Sequence, residues 1–428
     1  MNDLFPGAPT PEDLPDISGI APDYSSPGYP EEFSELFVDP RVRLMRAGRG
    51  RVVAFRNADL HKLAANPCAG NMPFEVLMKR SFIEGAQDAQ VRIDSRPSTK
   101  RFLVDQIFTA NPPRHGPKRQ ILARPFLPKS VASLAAIAEP IVEELIDELA
   151  GSGEFDLGSA FAERLAARFW ERAYGMTAEE RQRTMVALRA MAPLFYVTRT
   201  PEEIASLDVA IGEYMDALGG AVERSIRAGG NTLLESMKTH FDALDIEEKP
   251  RHFGDWVATN VIDGLHTVGV ACVNVLYCLL RAPAAVAAAR ADASLLPGVL
   301  AEGLRMLAPV IVTNRFALED FDYEGTRIAA GTAIAMIWAA GNRDPAVFED
   351  PNTYNPRRNQ RTPMTFGGGV HICPGRYVGS MLISVALKCL INPRVEITLC
   401  GERPHWQARS FMRIADRVTV TIRRAAKR

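Results

Sequence analysis

Residues 254–281 are the stretch that most limits what this chain can fold into. Apolar side chains recur almost all the way round a helical wheel there, from Val257, Val261 and Ile262 through Leu265 and Val268 to Val275, Leu279 and Leu280. A helix of that length runs about 40 Å, and one that is apolar on every face belongs inside a protein. Its middle is different, because Asp263, His266 and Thr267 interrupt the apolar surface. At spacings of three and four they share one face, and burying them costs free energy unless they are paired or solvated. Either they satisfy one another as a structural cluster, or they make a polar notch at a reaction site. A core able to surround such a helix is available, since 47% of the 428 residues are hydrophobic.

The second constraint is the run Phe366-Gly-Gly-Gly-Val-His-Ile-Cys-Pro-Gly-Arg376. It sets Cys373 in a glycine-rich loop directly before a helical segment. There the dipole and the free N–H groups of a helix start favour thiolate over thiol. Gly367, Gly368, Gly369 and Gly375 let the backbone adopt positive φ and come close to something large and flat. A thiolate so placed suits a buried metal cofactor, and a purely structural cysteine is the alternative. A phosphate cradle does not fit, because no Lys-Ser/Thr follows the glycines and no dinucleotide fingerprint surrounds them. The other cysteines, Cys68, Cys272, Cys278, Cys389 and Cys400, make no C-x-x-C pair and have no zinc-type spacing. The N-terminus is polar and proline-rich to Pro30, so the expectation is no signal peptide, no membrane anchor and reduced thiols in a cytoplasm. No apolar stretch is expected to be long enough to span a bilayer. A net charge of −1 argues against nucleic-acid binding.

Residues 1–35 are expected to be an extended segment and 36–428 one domain. Strands are expected at 41–47 and 51–55, joined as a hairpin at 48–50. A helix at 57–65 follows, then an irregular stretch at 66–110 that is either a binding loop or a packed surface loop. The stripe Ile141, Val142, Leu145, Ile146, Leu149 predicts a helix over 140–149 with Pro140 in its first turn. Further helices are expected at 202–227, 297–308 and 377–390, and short strands near 311–317, 323–329, 394–399 and 417–423. In the 297–308 helix, Glu302 and Arg305 stand at i, i+3, a pair of little worth if exposed. The fold class is mainly α with a small β region near both ends of the chain.

Four separated stretches carry a resemblance. They are Asn111-Pro-Pro-Arg-His115-x-x-x-Arg119, Glu302-x-x-Arg305, Gly341-Asn-Arg-Asp-Pro345 and Phe366-Gly367-x-Gly369-x-His371-x-Cys373-x-Gly375. In this order and spacing, over about residues 35–425, the chain resembles the cytochrome P-450 superfamily of haem-thiolate monooxygenases in its soluble bacterial form. The resemblance implies a single triangular fold with a long central distal helix. It implies haem b with Cys373 as the axial thiolate on iron, in a loop framed by Phe366, Gly367 and Gly375. His115, Arg119, Arg315 and His371 would then pair with the haem propionates. Glu302 and Arg305 become a buried structural network with Arg357 or Arg358 as its third member.

The segment Gly264-Leu265-His266-Thr267 falls where the family carries glycine, any residue, an acid and threonine. The resemblance therefore implies room for dioxygen at Gly264 and a proton-delivering hydroxyl at Thr267. This chain departs from the pattern, with His266 in the place of the acid and Asp263 in the place of a small apolar residue. Three accounts stand open. His266 relays protons with Asp263 orienting it; or Asp263 binds a substrate hydroxyl or amine and His266 points away; or proton delivery is impaired and the chemistry needs less of it. By position, the 66–110 loop, Phe195, Tyr196, Val310, Val312, Phe411 and Met412 would line an apolar pocket, core packing being the alternative. The implied activity is hydroxylation or dealkylation of a small hydrophobic molecule. Electrons would come from NAD(P)H through a separate reductase and a ferredoxin or flavodoxin, steered by Lys118, Arg124, Lys129 and Arg376, unless these are ordinary solvated bases. The alternatives are a peroxide-driven or oxidative-coupling enzyme, or a non-catalytic haem-binding scaffold or sensor.

Overall fold

The structure is a computed structural model and describes residues 10–17, 33–48, 51–74, 76–77, 96–196, 199–245, 250–359, 363–407 and 410–425, except the side chain of Asp263. Its helices follow the sequence's own punctuation. In chain order they are α1 (Asn57–Ala65), α2 (Pro97–Val104), α3 (His115–Ala123), α4 (Pro128–Leu149), α5 (Glu163–Tyr174), α6 (Ala178–Ala190), α7 (Pro201–Ala228), α8 (Thr232–Asp242), α9 (Phe253–Leu280), α10 (Pro283–Ala291), α11 (Leu296–Met306), the single turn α12 (Trp338–Gly341) and α13 (Arg376–Leu390). Proline opens α2, α4, α7 and α10, where its missing N–H would have no partner in any case. Thr177 and Thr200 cap α6 and α7 through reciprocal capping boxes with Glu180 and Glu203.

Two sequence expectations change here. Pro140 does not start a helix; it lies inside α4, which begins at Pro128. An interior proline costs about 3 kcal/mol. The buried face of α4 runs without a break through Val131, Leu134, Ala138, Ile141, Val142 and Leu145, and each large side chain among them contributes about 1.5–3 kcal/mol. Burial therefore wins. The described part of the 66–110 stretch is also less irregular than expected, since it holds α2 and a short strand; residues 75 and 78–95 lie outside the described residues.

The β region has three parts. Strands β1 (Leu44–Arg46), β2 (Arg51–Ala54), β3 (Ala69–Gly70), β5 (Thr313–Ala317) and β8 (Ala333–Met336) form one sheet in the order β1-β2-β8-β5-β3. Only the β2–β8 pair is parallel. β1 and β2 pair with Leu44 opposite Ala54, as a hairpin should; residues 49–50 of the expected turn lie outside the described residues. Strand β8 was not expected. It is buried along its whole length and so lacks the alternation that marks a half-exposed strand. Strands β4 (Phe155–Asp156), β10 (Thr419–Arg424) and β9 (Val395–Leu399) form a second sheet, and β6 (Phe321–Tyr323) with β7 (Thr326–Ile328) a third. Of the expected N-terminal segment, the described part makes a 3-10 turn at Pro11–Asp13 and a bridge from Asp16 to Arg46 on β1.

Helix α9 is the 28-residue centre of the helical part. Trp256, Val257, Ala258, Val275, Leu276 and Leu279 are fully enclosed. By length and mean hydropathy, 1.5 over its most apolar window, it could cross a membrane, so the expectation that no stretch reaches that threshold does not hold; 71% of that window is buried within the protein. Gly219 of α7 and Gly254 of α9 let these two helices touch backbone to backbone, since a Cβ on Gly254 would lie 2.5 Å from the Gly219 carbonyl oxygen.

Glu302 and Arg305 on α11 have no exposed side-chain surface at all. Arg305 donates from Nε and Nη2 to the two Glu302 oxygens at 2.8 Å each, and from Nη1 to the carbonyls of Asn342 and Pro351. Glu302 also accepts from the Asn355 backbone N–H at 2.9 Å and from Arg358 Nε at 3.1 Å, so Arg358 is the third member of the network. Removing one partner from such a pair strands a buried charge. Arg305→Met is expected to destabilise the protein by about 3–5 kcal/mol, read as a lowered urea midpoint; a loss under about 1 kcal/mol would assign the network no structural weight.

Candidate functional site

The loop before α13 is held open and close to its neighbours by two glycines. Gly367 and Gly369 have φ of 68° and 64°, in the left-handed region that side chains avoid. A Cβ on Gly369 would collide with the Ala64 carbonyl at the end of α1. Gly368 and Gly375 have φ of −157° and −83°, so of the four glycines expected at positive φ only two use it. Gly375 is instead the N-cap residue of α13, and a Cβ there would come 3.9 Å from Cys373 Sγ. The Cys373 N–H donates to the Phe366 carbonyl at 2.9 Å, and the Phe366 ring packs on the main core. Cys373 is half-buried and in no disulfide. Among the described residues no group of three or more His, Cys, Asp or Glu could hold a bare metal ion. A metal at Cys373 would therefore have to arrive with its other ligands attached, as it does in a porphyrin.

Beside this loop the fold gathers positive charge. α3 supplies His115 and Arg119, β5 supplies Arg315, and the loop supplies His371. His115 Nε2 lies 3.1 Å from His371 Nδ1, with ring centroids 4.2 Å apart. Asn71 is the hub between them. Its Oδ1 accepts from Arg315 Nη1 at 2.7 Å, which leaves Nδ2 to face His371 Nδ1 at 3.0 Å. His371 Nδ1 must then be an acceptor, and the proton of a neutral His371 sits on Nε2. Asn71 is itself clamped by Asn111, through its N–H to Asn111 Oδ1 at 2.7 Å and from Asn111 Nδ2 to its carbonyl at 2.9 Å. Arg119 donates to the Ile372 carbonyl.

Burial, and then the neighbouring cations, pull His115 down to about 4 and His371 down to about 3. Burial alone brings Arg315 to about 10. Burial also lowers Arg119, against the opposing effect of a thiolate at Cys373. Arg315 Nε is enclosed with no hydrogen-bond partner. Four basic side chains that lack a carboxylate among their strongest influences, one with an orphaned N–H, fit a dianionic ligand; the two propionates of haem meet that requirement. The sequence singled out all four bases. It missed Asn71, whose only signal was its place in the 66–110 loop, and it quoted Asn111 in a motif without giving it a role.

On α9 the polar notch is divided. Thr267 is half-buried. Gly264 does not leave open space, because Trp170 of α5 fills it: a Cβ on Gly264 would lie 3.1 Å from Trp170 Cζ2, and Trp170 Nε1 donates to the Gly264 carbonyl at 3.0 Å. The His266 ring stacks on Phe195, centroids 4.5 Å apart and planes 22° apart. Its Nε2 is enclosed without a partner, and burial brings its pKa down to about 4. The side chain of Asp263 lies outside the described residues, and with it the expected Asp263–His266 partnership.

Phe195 and Phe411 lie together, while the Val310 side chain packs on the cluster that holds Val52, Leu60 and Trp338. The Phe411 N–H donates to the Phe195 carbonyl at 3.1 Å, their rings are 6.0 Å apart, and Val310 bridges Met412. Val312 instead packs with Phe33, Leu36 and Phe55. The expected basic patch shrinks. Lys118 is buried 3.8 Å from Asp105, and Arg376 turns onto the Cys373 carbonyl and the Tyr377 ring. Arg124 and Lys129 remain exposed.

A family model described as Cytochrome P450 matches residues 286–393, which include Glu302, Arg305 and the Cys373 loop. The chain is 28% identical to the C-19 steroid 1alpha-hydroxylase of Sorangium cellulosum, over 74% of this chain and 80% of that protein. It is 26% identical to the 6-deoxyerythronolide B hydroxylase of Saccharopolyspora erythraea, over 76% and 79%. Among solved structures, the P450 heme domain of Tepidiphilus thermophilus matches with a TM-score of 0.78 at 21% identity, covering 94% of this chain and 97% of that one. A cytochrome P450 of Chondromyces apiculatus matches at 0.75 and 22%, covering 96% and 99%. These two likenesses carry the fold.

The depressed values of His115 and His371 set a pH dependence for the protein without haem. The unfolded chain takes up their protons near 6.5, and the folded chain only near 4 and 3. Between those limits the unfolded state binds more protons, so stability falls as pH is lowered from about 6.5. Urea midpoints of the haem-free protein are expected to drop over that window, and His371→Asn to flatten the drop; identical pH profiles would show that His371 does not contribute.

Proposed function

We propose that this chain, which belongs to the cytochrome P450 superfamily and is a haem-thiolate monooxygenase, hydroxylates a hydrophobic molecule with electrons delivered by a separate redox partner. The observation that carries the reading is the cluster of Arg315, His371, His115 and Arg119, buried beside Cys373 with one N–H of Arg315 unsatisfied. In this reading the Cys373 thiolate would hold the haem iron and the four bases would hold the propionates. The haem, once bound, supplies an electron-rich iron that activates dioxygen.

The chain's own residues supply the rest. The bond from the Cys373 N–H to the Phe366 carbonyl fixes the cysteine backbone, so the sulfur is presented from a rigid loop. Asn71 and Asn111 hold His371 in one tautomer and aim Arg315. Thr267 has the one donor and two acceptor positions that taking and passing a proton requires, and we assign it that role on α9. Phe195 and Phe411 form an apolar wall that excludes water. Relatives named as hydroxylases of a C-19 steroid and of 6-deoxyerythronolide B support a bulky apolar substrate; dealkylation would use the same machinery. Electrons would come from NAD(P)H through a reductase and a ferredoxin or flavodoxin. Arg124 and Lys129 are the bases left to meet an acidic partner. The reading places residues 36–428 in one haem-binding unit and the protein in the cytoplasm. His266 in the place of an acid is the observation favouring a peroxide-driven reaction instead, and the retained Thr267 speaks against it.

The reduced carbon monoxide complex is expected to show the red-shifted Soret band of a thiolate ligand, lost in Cys373→Ser. Its absence in haem-loaded native protein would overturn the reading. A spectral-shift screen of apolar polycyclic and macrocyclic compounds should then yield a substrate. With it, Thr267→Ala is expected to lower product formed per NAD(P)H consumed by about tenfold or more; unchanged coupling would remove Thr267 from proton delivery.

A further inference from the structure

The residue in the acid's place does not look like an acid's substitute. A proton relay needs an entry and an exit, so both imidazole nitrogens must reach a donor or an acceptor. In His266, Nε2 is enclosed and meets neither. Burial is the cause of its lowered pKa among the described residues, where no charged group contributes.

What His266 does have is a partner for its face. Its ring lies nearly parallel to that of Phe195 at 4.5 Å. Phe195 ends the 3-10 turn Ala192–Phe195 between α6 and α7, and it is the point where several segments meet. Its carbonyl accepts from the Phe411 N–H at 3.1 Å and from the Ser410 hydroxyl at 3.2 Å. Ser410 also bridges Tyr196 and accepts from the Met412 N–H at 3.0 Å. Phe411 in turn accepts at its carbonyl from the Ile311 N–H at 2.9 Å, next to Val310. The backbone bonds join the 192–196 turn to the 410–412 segment and that segment to 309–311. The His266 stack joins this turn to the notch of α9.

We infer that His266 is a positioning residue: its neutral ring, stacked on Phe195, fixes the 192–196 turn against the distal helix and so sets the shape and accessibility of the substrate pocket, without carrying protons. This rests on the reading of α9 as the helix over the haem. Its chemistry is that of a flat, uncharged ring, and phenylalanine should replace it.

The test uses the haem-loaded protein and 4-phenylimidazole as a probe that enters the pocket and shifts the Soret band. His266→Phe is expected to bind the probe with an association rate and affinity within about twofold of native. His266→Ala, which removes the stack, is expected to change the association rate by about fivefold, and Phe195→Leu to reproduce that change. The inference is overturned if His266→Ala and Phe195→Leu both bind the probe as the native protein does, or if His266→Phe is altered as much as His266→Ala. The second result would mean that the imidazole nitrogens matter, as a relay requires. A thiolate-type carbon monoxide spectrum is recorded for every variant. If the native protein lacks it, the reading of the site has failed; if all have it and the probe rates do not follow the stack, only the role of His266 has failed.

Discussion

A carboxylate and a guanidinium with no contact to solvent stand at the centre of this fold. Glu302 and Arg305 could not be buried singly, because an isolated charge in a low-dielectric interior costs several kcal/mol after relaxation. Together they still leave hydrogen-bonding capacity to fill, and the chain fills it from far away in sequence: the carbonyls of Asn342 and Pro351, the N–H of Asn355 and the side chain of Arg358. The demand for satisfaction therefore becomes a folding instruction. It draws the 342–358 segment onto α11, and that segment's Asn342 holds the Met364 N–H at the start of the Cys373 loop. The pair does no chemistry, yet the loop that presents the cysteine is anchored through it.

The same electrostatic rule, left unsatisfied, marks the place where the protein expects a ligand. At Glu302 and Arg305 opposite charges close the account within the chain. At His115, Arg119, Arg315 and His371 only bases are gathered, and burial together with mutual repulsion holds the histidines neutral. The two clusters sit in one fold, and arginine is common to both. What separates a structural network from a binding site is whether the chain supplies the counter-charge.

Much of this was legible in the sequence, for definable reasons. The length and all-round apolarity of α9 required a central helix, and the spacing of Cys373, His371, Arg119 and His115 marked residues that the fold brings to one place. What could not be read depended on partners distant in sequence. Gly264 is small because Trp170 needs the space, and nothing near Gly264 announces Trp170. Lys118 read as a surface base until Asp105 was found beside it in a buried position. Pro140 read as a helix start because a local rule was applied where the continuous buried face of α4 overrode it. Asn71 carried no local pattern at all, although it orients two of the site's bases.

Among the described buried polar atoms without partners are Arg315 Nε and His266 Nε2, and these two stand in different surroundings. Around Arg315 the described neighbours are Asn71 and other bases, which supports the proposed anionic ligand. For His266 burial is the cause of the lowered pKa among the described residues, and the ring is covered by Phe195. An unmet nitrogen on a neutral imidazole costs far less than an unmet charge, and an aromatic stack worth about 0.5–1.5 kcal/mol offsets much of it. The first orphan lies in a cluster of bases beside Cys373 and fits the proposed ligand. The second is tolerable without one, which is why the same observation supports a cofactor-binding role on one face of the site and a shape-setting role on the other.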